Sequence, residues 1–156
     1  KRFTNFDTYK DKSLGQIFTQ EELSRALTLE VKTLESVVFY NQKGNRFSQG
    51  ELPKEAQFTK VYSVLTNDFD GDGNLDVVMG GNQARSKPEM GIYNATYGLL
   101  FENSGDQSMN YVKPSKSGIF VRGEVRDIFN ITVGDTSHLV FLRNSDKVKS
   151  FVVNKR

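Results

Sequence analysis

From about residue 33 onward, the chain alternates short apolar runs with polar turns. Each run is rich in Val, Ile, Leu, Phe and Tyr, and each is bounded by Gly, Asn, Asp or Pro. Runs of this length between turn residues are typical of β-strands. We predict strands at residues 34–40, 46–47 with their neighbours, 61–66, 75–79, 97–102, 111–112, 123–129, 138–142 and 148–153. No segment after Leu27 predicts a helix.

The first 32 residues have a different pattern. Residues 1–18 are polar and aromatic without a period, which predicts an irregular lead-in. Thr19 followed by Glu22 has the spacing of a capping box, and Leu23 begins an apolar face. We therefore predict one short N-terminal helix, held by packing because so few turns are unstable alone. The predicted division is a lead-in segment at 1–32 and a β region at 33–156.

Three of the apolar runs share one form, in which Asn and a polar turn follow the strand. The asparagines that mark the repeat are Asn41, Asn103 and Asn144, and a second, weaker strand follows each of them. Four short antiparallel strands per unit, repeated roughly every 40 to 60 residues, indicate β-propeller blades. The predicted fold is mostly β, a partial propeller of about two blades. It comprises two strands of one blade, a complete four-stranded blade at about 61–113, and three strands of another.

Open blade edges are the main consequence of that prediction. About two blades cannot close a ring, and unpaired strand edges favour pairing with other strands. We therefore expect that the chain belongs to a larger propeller, or that its edges are covered by residues 1–32 or by self-association with another copy of the chain.

The most informative motif is the acidic stretch DFDGDGNLD at residues 68–76. Four carboxylates within nine residues repel one another unless a cation neutralises them. A hard cation that takes six to eight oxygens at about 2.3–2.6 Å meets that need. We predict a Ca²⁺ site whose oxygen ligands recur at alternate positions, with the backbone carbonyl at the fourth: Asp68, Asp70, Asp72, Asn74 and Asp76.

The glycines of the motif support a metal-binding loop. The residues on either side of the motif distinguish an EF-hand from a loop between two strands. Gly71 and Gly73 allow the tight, partly left-handed backbone that lets side chains of one loop converge. An EF-hand is disfavoured because its twelfth position is Met79, which has no carboxylate, and because both flanks resemble strands. Mg²⁺ is disfavoured because it keeps several waters in a rigid octahedron. A plain acidic hairpin without metal remains the alternative.

Composition restricts other chemistry. The 156 residues include no cysteine, which excludes disulfides, thiolate zinc sites, iron–sulfur clusters and cysteine nucleophiles. The one histidine, His138, leaves no multi-histidine site within the chain and weakens any Ser-His-Asp triad. The net charge is only +2, with scattered cations, which argues against a nucleic-acid partner. No run approaches the roughly 20 apolar residues that span a bilayer.

An insertion at residues 80–96 supplies candidate recognition residues. It links the second and third strands of the complete blade, so we expect it at the end of the sheet opposite the acidic loop. Loops on a rigid sheet commonly carry recognition. Arg85, Lys87 and Tyr93 are therefore candidates for binding a protein or glycan ligand. The alternative is an exposed or blade-capping loop without a ligand.

The acidic motif and its neighbours resemble a known family. A strand, the stretch DFDGDGNLD, and then VVMGGN at 77–82 resemble the FG-GAP or VCBS repeat of integrin-alpha-like β-propellers. The stretches PEMGIY, YGLL and SGIFVRGEVRDI are similar to the C-terminal part of large bacterial VCBS-repeat proteins, which are frequently assigned an ASPIC/UnbV domain. The resemblance covers about residues 17–153.

The resemblance implies a seven-bladed propeller in the parent protein, calcium in hairpin loops and an extracellular or cell-surface setting at the bacterial envelope. It also implies noncatalytic adhesion or recognition of a protein or glycan. The alternative is an accessory repeat region of a surface polysaccharide-processing enzyme whose catalytic residues lie outside this chain. Because residues 130–135 lack alternating carboxylates, we expect one calcium site.

Overall fold

The computed structural model describes residues 3–154. These residues form two compact units, one up to Leu34 and one from Glu35 onward. The first unit contains a 3₁₀ helix at Phe6–Thr8, helix α1 at Leu14–Ile17 and helix α2 at Gln20–Ser24.

The capping box of α2 is confirmed. The side chain of Thr19 accepts a hydrogen bond from the Glu22 N–H at 3.2 Å, and the Glu22 carboxylate accepts one from the Thr19 N–H at 2.8 Å. The irregular lead-in is wrong in part, because α1 precedes α2. The sequence pattern that indicates α1 is a second pair with capping-box spacing, Ser13 and Gln16. The Ser13 N–H donates to the side chain of Gln16 at 2.9 Å.

The second unit is mostly β, as predicted, and each predicted segment overlaps a strand. Its strands are β1 Val38–Asn41, β2 Phe47–Gly50, β3 Val61–Asn67, β4 Asp76–Gly81, β5 Leu99–Asn103, β6 Met109–Val112, β7 Val125–Val133, β8 Thr136–Arg143 and β9 Lys149–Val152. The largest boundary differences are at β1, which begins later than predicted, and at β7, which extends further. β7 and β8 continue to a two-residue turn because Val133 pairs with Thr136.

The strands form three antiparallel sheets in sequence order. The first contains β1 and β2, the second β3 to β6, and the third β7 to β9. This grouping into two, four and three strands is the one that the sequence predicts. The first strand of each larger sheet carries a register shift near its start, at Val61/Ser63 in β3 and at Val125/Asp127 in β7.

The two central strands of the four-stranded sheet, β4 and β5, are buried on both faces. One face packs on the three-stranded sheet through a core made of Val78, Leu100, Val112, Ile119, Val121, Val125, Ile128, Leu139 and Phe141. The other face carries Val77, Met79, Leu99 and Phe101, which pack with Ala56. Successive side chains of a strand point to opposite faces. Burial of both faces therefore explains the unbroken apolar run at residues 77–79 of β4.

Three short helices follow Leu27, so the prediction that no helix follows it is wrong. They are 3₁₀ helices at Lys54–Gln57 and Pro88–Met90, and helix α3 at Pro114–Ser117. In the last two, proline occupies the first helical position, where its missing N–H costs nothing. Gly118 ends α3 with a left-handed φ of 73°. In the sequence alone, these Pro and Gly residues indicate turns. Among residues 3–154, no helix is long and apolar enough to cross a bilayer.

Candidate metal centre

The acidic motif forms the loop between β3 and β4. Asn67, the last residue of β3, pairs with Asp76, the first residue of β4. Antiparallel strands therefore flank the loop on both sides, as the sequence predicts, and the helices of an EF-hand are absent from these flanks.

Three carboxylates of this loop converge. Oxygen atoms from Asp68, Asp70 and Asp76 all lie within 4.8 Å of one another. Two oxygens bound to one Ca²⁺ at about 2.3–2.6 Å can be separated by at most about 5 Å, so these three groups are close enough to share an ion. Asp68 and Asp70 are partly buried, whereas Asp76 is only 1% exposed.

The buried carboxylate of Asp76 is held from two sides. Its Oδ2 accepts a hydrogen bond from the Phe69 N–H at 2.9 Å, and its Oδ1 accepts one from the Asn103 N–H at 3.0 Å. Burial raises the pKa of Asp76, and the charges of Asp70 and Asp72 raise it further, although the two backbone hydrogen bonds act in the opposite direction. A cation at this site would therefore favour the ionised form.

The loop backbone curls around Asp68. The carboxylate of Asp68 accepts hydrogen bonds from the N–H groups of Gly71 at 2.6 Å and Gly73 at 3.3 Å. Both glycines have left-handed φ values, 88° and 89°. This conformation is accessible to glycine without steric penalty, which explains the two Gly positions of the motif. Asp70 accepts a further bond from the Asp72 N–H at 3.1 Å.

Asp72 and Asn74 are not among the three converging groups. The carboxylate of Asp72 accepts hydrogen bonds from the backbone N–H of Asn74 at 2.7 Å and from its Nδ2 at 2.8 Å. These bonds, led by the backbone one, lower the pKa of Asp72. The side chain of Asn74 also lies against Gly105, in the turn between β5 and β6. Of the four predicted carboxylate ligands, three converge, whereas the fourth, Asp72, is bound by Asn74, whose own predicted ligand atom is its backbone carbonyl.

Asn103 belongs to the site although the sequence analysis noted it only as one of the asparagines that mark the repeat. Besides its N–H bond to Asp76, its Nδ2 donates to the Leu75 carbonyl at 3.2 Å. Its Oδ1 accepts a bond from the Gly105 N–H at 3.0 Å. The sequence does place Asn103 directly after an apolar strand. Its contact with the acidic loop, however, forms only because β4 pairs with β5.

The insertion after β4 lies at the other end of the sheet, as expected, because it begins where β4 ends. Its base is closed by Asn82, whose Nδ2 donates to the carbonyls of Thr96 at 2.7 Å and Gly123 at 3.1 Å. Gln83 and Tyr93 pair as an isolated antiparallel bridge. The first and last parts of this loop are therefore fixed to the sheets.

The three candidate recognition residues take different roles in that loop. Arg85 donates from Nη2 to the Ser145 hydroxyl at 3.2 Å. The Tyr93 ring lies 5.0 Å from the Lys60 ammonium, a cation–π distance. Lys87 is exposed and precedes the 3₁₀ helix at Pro88–Met90. Within residues 3–154, no hydrogen bond or ring contact joins these candidates to one another.

A buried carboxylate that the sequence analysis did not identify anchors the same loop. Glu124 is 4% exposed and accepts hydrogen bonds from the N–H of Ala84, the N–H of Arg85 at 3.0 Å and the Arg126 guanidinium at 2.9 Å. The Asn144 amide also donates to it and is the largest cause of its low pKa, which is about 2. A lone glutamate before a strand has no pattern that could have revealed this role.

Comparison with protein-family models, with curated proteins and with solved structures gives no match to this chain.

Proposed function

We propose that this chain is a noncatalytic, calcium-binding segment of an FG-GAP/VCBS-type β-propeller, from a secreted or cell-surface protein that mediates adhesion or recognition of a protein or glycan. The observation that carries the proposal is the convergence of Asp68, Asp70 and Asp76 within 4.8 Å, in a loop that joins two strands of an antiparallel sheet.

Calcium fits this set of donors better than other common metals. All three groups are hard carboxylate oxygens, which suit Ca²⁺, whereas zinc and copper favour imidazole or thiolate ligands. The loop has two exposed left-handed glycines, and such flexible geometry suits the variable coordination of calcium better than the strict octahedron of magnesium. The ion would offset the repulsion among the three carboxylates.

A structural role for the ion is supported by how the carboxylates are used. Each of the three already accepts at least one backbone N–H: Asp68 from the glycines, Asp70 from Asp72, and Asp76 from Phe69 and Asn103. Groups held in this way fix a loop conformation. His138, the one imidazole base of the chain, lies in β8 of the other sheet.

The propeller interpretation is supported by repetition at two levels. The larger sheets are both formed by consecutive antiparallel strands, and they pack face to face through one core. Their first strands carry matching register shifts, and the residues after those shifts meet, since the Ser63 hydroxyl donates to Asp127 at 3.2 Å.

Recognition by the insertion is supported by its combination of fixed ends and an exposed middle. Asn82 and Glu124 hold its first residues, whereas Lys87, Met90 and Ile92 are exposed. A loop held in this way presents side chains without a large loss of conformational freedom on binding.

Isothermal titration with CaCl₂ tests the calcium proposal. The wild-type chain should take up one Ca²⁺, and Asp70→Asn should bind much more weakly because it removes one charged ligand. Asp135→Asn is the matched control, since Asp135 is an exposed carboxylate in the turn between β7 and β8. Absence of uptake by the wild type at millimolar calcium would contradict the proposal.

A further inference from the structure

The three-stranded sheet has an open outer edge at β9. The Val153 N–H donates to the Ser137 carbonyl at 2.8 Å, which pairs Val153 with β8. Since hydrogen-bonding direction alternates along an antiparallel strand, the backbone groups of Ser150 and Val152 point away from β8. In the four-stranded sheet, β6 occupies the position after the third strand, but within residues 3–154 no strand does so beside β9.

A partly open cleft lies between the two sheets beside β9. Its volume is about 290 Å³. Apolar side chains of both sheets line it, together with charged ones: Val78, Leu100, Leu139, Phe151 and Val153, and Asp70, Glu102 and Lys116. Protein interiors are normally close-packed, with few voids larger than a water molecule. The apolar part of this cleft therefore has room for further apolar side chains.

Residues 27–32 have the pattern of a strand but belong to no sheet of the described chain. Their sequence, LTLEVK, alternates apolar and polar residues strictly, as in a strand with one buried face. The apolar side chains are nonetheless exposed: Leu27 by 83%, Leu29 by 82% and Val31 by 72%. Glu30 and Lys32 form an ion pair on the opposite face, which agrees with an extended backbone.

We propose that residues 27–32 of a second copy of this chain add to the open edge of β9 as a fourth strand. Their polar backbone groups would pair with those of Ser150 and Val152, which is the β-augmentation mode of recognition. Leu27, Leu29 and Val31 would enter the cleft, so one association buries their exposed apolar face against the apolar side chains of the cleft. Reciprocal exchange between two copies closes a symmetric dimer.

The mass in solution tests the exchange. Light scattering coupled to size-exclusion chromatography should give twice the 17.7 kDa of one chain. Leu29→Asp should give a monomer, because its carboxylate would lose hydration against apolar side chains and would be repelled by Asp70 and Glu102 of the cleft. Thr28→Asp is the matched control, since Thr28 lies on the polar face, and should remain dimeric. Both residues are exposed in the single chain, so neither variant should impair folding. A monomeric wild type, or a dimeric Leu29→Asp, overturns the proposal.

Disulfide trapping tests which residues meet. The chain has no cysteine, so single-cysteine variants can form disulfides only between copies. Chains carrying Thr28→Cys or Glu30→Cys should each be mixed with chains carrying Val152→Cys and oxidised, and at least one mixture should yield a crosslinked heterodimer. No crosslink in either mixture overturns the proposal. So does an intrachain disulfide in a monomer that carries both substitutions, because residues 27–32 would then pair with β9 of the same chain.

Discussion

The carboxylate of Asp76 accepts a hydrogen bond from the backbone N–H of Asn103 across 3.0 Å, which joins the start of β4 to the end of β5. Asn103 is also the residue at which β5 turns toward β6, and its Oδ1 holds the Gly105 N–H of that turn. An ion bound to Asp76 would therefore stabilise the β3–β4 and β5–β6 hairpins of the four-stranded sheet.

Substitution of Asp76 by Asn should weaken calcium binding strongly and lower the free energy of unfolding by about 1–3 kcal/mol. The physical reason is that the amide has one acceptor oxygen, so one of the two backbone N–H groups that Asp76 now satisfies would lose its partner. Urea unfolding without calcium measures the stability change. An unchanged midpoint would mean that these two hydrogen bonds do not contribute.

Removal of calcium should lower the free energy of unfolding of the wild type. A ligand that binds only the folded state stabilises it by RT ln(1 + [L]/Kd), which is about 2.7 kcal/mol at a free concentration of 100 times Kd. Thermal unfolding in CaCl₂ and in EDTA should differ accordingly. Asp68→Asn, which removes one of the converging carboxylates, should show a much smaller difference between the two conditions.

Glu124 should make the protein less stable in acid. Its pKa in the folded chain is about 2, below its ordinary value of 4.5, because Asn144 and the loop N–H groups bind the ionised form. For an acid with a depressed folded pKa, the stabilisation is complete above pH 4.5 and is lost as the pH falls toward 2. Unfolding free energies measured from pH 6 to pH 2 should fall in that window. The fall should be smaller in Glu124→Gln, and equal falls in both proteins would contradict this role.

A methyl group at Gly80 should disrupt the packing of β4 on β7. A Cβ at this position would clash with Cγ1 of Val125 and lie 2.9 Å from Cδ1 of Ile128. Overpacking of this kind costs about 1–3 kcal/mol, so Gly80→Ala should lower the urea midpoint. Gly15→Ala is the control, because nothing lies within 4 Å of its Cβ position. Similar midpoints for both variants would mean that the two sheets do not approach so closely.

The core between the sheets should depend on Phe141. Its side chain is fully buried among residues of both sheets. Phe141→Ala should therefore lower the free energy of unfolding by about 3–5 kcal/mol. Phe47→Ala, at an exposed position of β2, should change it by no more than about 0.5 kcal/mol. Chemical unfolding of both variants makes the comparison, and equal losses would contradict the assignment of this core.

The sequence predicted most of what depends on local pattern. The strands and their grouping follow from apolar runs and turn residues, and the acidic loop follows from the spacing of Asp68, Asp70 and Asp76. The short helices were missed because Pro88 and Pro114 serve equally as turn residues and as first residues of a helix.

The rest depends on contacts between residues far apart in the chain. The alternating positions predicted Asp72 as a fourth carboxylate ligand, but local hydrogen bonds from Asn74 to its carboxylate compete with convergence on the centre. Glu124 joins residues about 40 positions away in the insertion to its own sheet. No periodicity encodes such a contact.

The most direct test of the calcium proposal is a crystal structure of the chain grown with CaCl₂. We expect anomalous density at the β3–β4 loop, with carboxylate oxygens of Asp68, Asp70 and Asp76 at about 2.3–2.6 Å from the ion. A loop in which these three carboxylates point apart into solvent, with no ion between them, would contradict it.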